Sequence, residues 1–158
     1  MDISRHQFNK LISCSKEIVS PSRPKFDEKN GSRHMNLKLY STAEDLHFRM
    51  FLRQSTIFFE NFSVSLIWTV QESNICITLL RCNGPHGGNK KCAHHHVPHI
   101  HRLNLELATE NTFKENDVEM TQVYSTFDSA IYHFCTMCHI QNAQVYFPEV
   151  YNLSLFES

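Results

Sequence analysis

The chain has 158 residues and a mass of 18.5 kDa, the size of one ordinary domain. Hydrophobic residues make up 41% and charged residues 20%, and only four glycines and five prolines occur, which argues against a disordered, collagen-like or low-complexity chain. Fifteen Lys and Arg against sixteen Asp and Glu leave a formal net charge of −1, which speaks against general coating of duplex DNA but not against a local basic patch.

In chain order, residues 3–19 place Ile3, Phe8, Leu11, Ile12, Ser15, Ile18 and Val19 at helical spacing, with Asp2 available as N-cap. Pro21 and Pro24 stop that helix, and the polar run 22–33 reads as a loop. Leu37, Leu39 and residues 47–53 read as short strands. Residues 62–70 alternate apolar and small polar side chains over their first half, and 75–82 are β-branched and mostly apolar. The polar turn 71–74 joins them, so the two are expected to pair as antiparallel neighbours. Asn83-Gly84-Pro85 and Gly87-Gly88-Asn89 open a loop, and 97–103 returns as a strand, placed at an edge by Pro98. After the polar stretch 109–121, residues 123–140 resume a helical pattern with Val123, Phe127, Ala130, Ile131, Phe134, Met137 and Cys138 on one face. The expectation is a single α+β domain over residues 1–158, an antiparallel sheet flanked by an N-terminal and a C-terminal helix.

The histidines are concentrated. Of eleven, six (His86, His94, His95, His96, His99 and His101) lie within sixteen residues. Imidazole serves metal binding and acid–base chemistry near neutral pH, so the window marks a candidate site. On a strand, His99 and His101 project from one face with their Cβ atoms roughly 6–7 Å apart. Arg81 and Asn83 likewise share a strand face and supply a cation and an amide, and His86 leaves through a Gly-Pro turn that can close over the same face. Three readings stay open. The histidines decorate a solvated loop. Alternatively His86, His96, His99 or His101, with Cys92 as a thiolate, hold a divalent transition metal such as zinc. In the third, two histidines act as acid and base on a phosphodiester while Arg81 or Arg102 holds charge.

Cys135-Thr136-Met137-Cys138-His139 matches the spacing of haem attachment and of redox dithiols. Its place at the end of an amphipathic helix favours two buried structural thiols instead. No run reaches the ~18–20 apolar residues of a membrane span, and residues 1–10 lack an apolar signal core. A cytoplasmic protein with reduced cysteines and no membrane partner is the expectation. His6, His34 and His47 read as surface residues, and Phe58, Phe59 and Trp68 as core rather than a base-stacking platform.

The run Leu79-Leu80-Arg81-Cys82-Asn83-Gly84-Pro85-His86, then Pro98-His99-Ile100-His101, then Phe134-Cys135 and Cys138-His139-Ile140, resembles a family of uncharacterised bacterial and phage proteins. Its members carry a Gly-Pro-His turn, a Pro-His-x-His strand and a late Phe-Cys-x-x-Cys-like helix. The Arg-then-Pro-His element is similar, more distantly, to the TumE family of toxin–antitoxin proteins. The resemblance covers residues 60–142 and implies a toxin-like or mobile-element protein acting on RNA, with Arg81, Asn83, His86, His99 and His101 as motif residues. This chain departs in its His94-His95-His96 insertion and in Cys82, where an acidic residue is usual. The function expected is a small phage or bacterial conflict protein with an RNA-directed, nuclease-like histidine site and, as partner, RNA, a cognate antitoxin or a host defence protein. The alternatives are a non-catalytic protein that inhibits a defence or replication protein by occlusion, and a transition-metal-binding module.

Overall fold

The computed structural model describes residues 2–21, 24–86, 93–106 and 117–156; within these, the side chains of 93–94, 117 and 153–156 are not described. Cys92, Gly87-Gly88-Asn89 and most of the polar stretch 109–121 therefore lie outside the described residues. The elements run α1 (Arg5–Ser13), β1 (Glu17–Ile18), β2 (Asp27–Lys29), β3 (Ser32–Ser41), β4 (Leu46–Ser55), β5 (Phe62–Val70) and β6 (Ile75–Asn83). A 3-10 turn (Ala93–His96) leads to β7 (His99–Arg102), β8 (Asp117–Met120), α2 (Phe127–Met137), α3 (Ala143–Tyr146) and α4 (Pro148–Phe156). The α+β architecture is as expected: one antiparallel sheet in the order β1-β3-β4-β5-β6-β7-β8, with β2 also on β3.

Alternation builds this sheet. Met35, Leu37 and Leu39 of β3, Phe48, Met50 and Leu52 of β4, and Val64 and Leu66 of β5 point to one face and are buried. The helices cover that face: Phe127 of α2 packs on Phe62, and α1 and α2 line a cavity floored by Leu80 and Arg102. The opposite face carries the intervening residues. β5 and β6 pair as expected, with a register shift at Leu66/Ile67.

Several expectations need correction. The first helix is shorter than 3–19 and is capped by Ser4, whose side chain accepts from the Gln7 backbone N–H, not by Asp2. Lys16 instead makes a parallel bridge to Ile140. The loop 22–33 contains the β2–β3 hairpin, turned through Asn30 and Gly31, both at positive φ, as a tight antiparallel turn requires. β7 is not an edge: it pairs with β6 and β8, and Pro98 stands just before it, its carbonyl accepting from the Thr121 N–H. Val123 is exposed and precedes α2, which begins after a Thr126–Ser129 capping box. Trp68 is core, but Phe58 and Phe59 are exposed.

Candidate functional site

The site is assembled at the open end of the β6–β7 pair. The register sets Arg81 opposite His101 and Asn83 opposite His99, so all four stand on the sheet face away from the helices. His86 joins them because Gly84 permits a tight exit from β6. The Gly84 N–H donates to the Phe62 carbonyl, and a Cβ on Gly84 would lie 2.1 Å from the Glu60 carbonyl oxygen. The His86 N–H then donates to the His95 carbonyl at 3.0 Å, tying the turn to the 3-10 turn.

Four imidazoles follow one another in space. Ring centroids are 4.4 Å apart for His95–His86, 5.1 Å for His86–His99 and 5.0 Å for His99–His101. Their environments differ. His99 is fully buried, and both ring nitrogens are engaged: Nδ1 donates to the Val97 carbonyl at 2.8 Å, and Nε2 faces the Asn83 amide nitrogen at 3.3 Å. A carbonyl only accepts, so Nδ1 carries the proton and Asn83 donates to Nε2. His99 is therefore held as a wall against which His86 rests, and is no exposed proton carrier. His86 and His96 are exposed, while His95 and His101 are half-buried. His96 lines, with His86, a cavity of about 370 Å³ bounded by Phe58, Glu60, Asn61 and Pro85.

Below the pair, Tyr124 shares its hydroxyl proton between the Asn83 and His99 carbonyls at 2.9 and 2.8 Å and locks the strand ends together. Burial pushes its phenol well above the usual range. Cys82, next to Arg81, is buried, and burial pushes its thiol up to about 12; the same holds for Cys135, while Cys138 is also raised well above its ordinary value. These three thiols are protonated at neutral pH and pack as core, in keeping with the structural reading of the Cys-x-x-Cys segment. Arg102 points to the helix side and pairs with Glu119 at 2.6 Å, so it stands away from the histidines.

Among the described residues, no group of three or more His, Cys, Asp or Glu is arranged to hold a metal ion. The cavity's lining among the described residues includes a carboxylate, Glu60. Sequence reasoning missed His95, Phe58, Glu60, Asn61 and Tyr124. The run Ile57-Phe58-Phe59 follows the alternation of β4 without continuing it, which is a legible sign that these residues lie on a loop. Comparison with protein-family models, with curated proteins and with solved structures finds no match.

Proposed function

We propose that the chain is an RNA-directed, metal-independent phosphodiesterase of the toxin-like kind, with His86 and His96 as its proton carriers. The observation that supports this reading is that two exposed imidazoles line one cavity while the ring of buried His99 stands 5.1 Å from that of His86. In the reaction, one imidazole takes the proton of a ribose 2′-hydroxyl as its oxygen attacks phosphorus. The other gives a proton to the departing 5′-oxygen, leaving a 2′,3′-cyclic phosphate. His99 and Asn83 are positioning residues, and the His95 ring backs that of His86 with 4.4 Å between ring centroids.

The test is incubation of the protein with end-labelled single-stranded RNA in excess chelator. Cleavage with a bell-shaped pH–rate profile and cyclic-phosphate ends is expected, and His86→Ala or His96→Ala should each lower the rate by about 10²–10⁴. His99→Gln should shift the pH profile rather than abolish the reaction. Cleavage lost to chelator would favour the metal-binding alternative, and no cleavage at all would overturn the proposal.

A second reading rests on a separate observation. Ile57, Phe58 and Phe59 at the β4–β5 loop are 72%, 61% and 67% exposed, a run of apolar side chains of the kind that marks contact surfaces. In this reading the chain occludes a host defence or replication protein through that loop. A Phe58→Ser, Phe59→Ser double variant that loses biological activity while His86→Ala keeps it would select it.

A further inference from the structure

The five strands β3 to β7 contain no Asp or Glu: all sixteen acidic residues of the chain lie in other segments. The same strands carry six of the fifteen cations, and alternation divides them unequally. Arg33 and Arg102 point to the helix side, where Arg33 lies over Phe26 and Arg102 meets Glu119. Lys38, Arg49, Arg53 and Arg81 point to the other face, together with His34, His47 and His101. The flanking strands place Glu17 beside Tyr40 and Asp27 beside His34 on this same face, and Tyr40 donates to Asp45. The positive potential is therefore concentrated over β4 to β6, the middle of the face that the helices leave uncovered among the described residues.

The middle of that face is not merely charged. Phe51 stands half-exposed in the cross-strand row Asn36, Phe51, Ser65, Arg81, His101, and the His34 ring stacks on it at 5.8 Å with an interplanar angle of 23°. Its neighbours on β5 are Ser63 and Ser65, so small side chains floor the space between Arg53 and Phe51 on one side and Asn83 and Arg81 on the other. Tyr40 and His47 form a second ring pair at 4.9 Å near the far end. Arg49 lies beside them and donates from Nη2 to the Cys76 thiol at 3.2 Å.

We infer that this face binds single-stranded RNA, leading the strand across β4, β5 and β6 to the imidazoles at the end of β6–β7. The substrate class rests on the phosphodiesterase reading above; the surface itself rests on charge and ring placement. Lys38 and Arg49 are direct cross-strand partners, and Arg53 and Arg81 stand two strands apart, roughly 10 Å. Such a series of cations suits a phosphate backbone, and a flat ring platform takes an unstacked base. A duplex keeps its bases stacked inside and offers nothing to Phe51, so double-stranded RNA is expected to bind much more weakly.

The experiment measures fluorescence anisotropy of a labelled 12-nucleotide RNA with the full chain carrying His86→Ala, which blocks cleavage without touching the face. Single-stranded DNA and duplex RNA of the same length run in parallel. Arg53→Ala and Arg81→Ala should each weaken binding and reduce the slope of log K against log salt by about 0.7. Phe51→Leu should weaken binding about tenfold and leave the slope unchanged. Lys38→Glu, at an exposed position that does not endanger folding, should also weaken it. Equal affinity of all four variants and the parent, or tighter binding of the duplex or of DNA, overturns the inference. Cleavage by the unmodified chain alongside face-insensitive binding would overturn this inference alone, whereas face-dependent binding without cleavage would overturn only the phosphodiesterase reading.

Discussion

Lys16 is the most unusual single residue. Its side chain is fully buried, and no carboxylate among the described residues answers it; the ammonium donates instead to the carbonyls of Ile12 at 2.8 Å, Cys14 at 2.9 Å and Cys138 at 3.0 Å, and lies 4.8 Å from the centre of the Phe48 ring. These carbonyls belong to the ends of α1 and α2, where the last turns leave acceptors unsatisfied and a cation is favoured. Burial lowers its pKa, but all three protons are placed. Lys16→Met fills the space and leaves three carbonyls without this donor, so a loss of about 1–3 kcal/mol is expected in urea unfolding. A loss below about 0.5 kcal/mol would show that the ammonium contributes nothing net. Lysine is a surface residue by habit, so nothing in the sequence marks this one; only the convergence of two helix ends does.

At the scale of elements, α2 couples the sheet to pH. His133 on its surface is half-buried, its ring 6.0 Å from that of Tyr124. Burial first and the Arg102 cation second lower its pKa, against an opposing pull from Glu119. A histidine that ionises less readily when folded lends full stability above the unfolded value near 6.5, and loses it as pH falls through the folded value. Thermal unfolding of the unmodified chain should therefore fall more steeply between pH 7 and 5 than that of His133→Gln. Parallel curves would remove His133 from the account. The elements differed in how plainly they could be read. β5 and β6 are legible because β5 alternates over its first half, β6 is β-branched and mostly apolar, and a polar turn joins them. The β2–β3 hairpin reads as a loop although Asn30-Gly31 is a strong turn signal, because the surrounding residues are polar. β8, Asp-Val-Glu-Met, lacks the apolar pattern since an outer strand carries charge. The histidine pairing followed from period two, whereas the ring contacts of His86 and His95 depend on a loop closure that no periodicity encodes.

For the molecule as a whole, the buried hydroxyls and thiols set an alkaline limit. Burial raises the pKa values of Cys82, Cys135, Cys138, Tyr124 and Tyr151, five groups that keep their protons in the fold where the unfolded chain gives them up. The folded state then binds more protons, so stability falls as pH rises through the ordinary cysteine and tyrosine values of about 8.5–10. Lys16, with its pKa lowered, acts in the opposite sense but is one group against five. Unfolding by urea at pH 10 should need markedly less denaturant than at pH 8; an unchanged midpoint would contradict the assignment of these groups to the core.

The strand order has a consequence for how the chain assembles. From β3 to β8 each strand lies beside the next one made, so hairpins can close as they leave the ribosome. Residues 16–20 are different: they pair with β3 through Glu17–Tyr40 and Ile18–Leu39, yet their contacts with Cys138, Asn142 and Tyr146 wait for segments made 122 to 126 residues later. This segment is thus held on one side early and closed on the other only at the end. Until α2 and α3 emerge, the apolar side of a nearly complete sheet stands uncovered, a nascent-chain state that a chaperone would have to shelter.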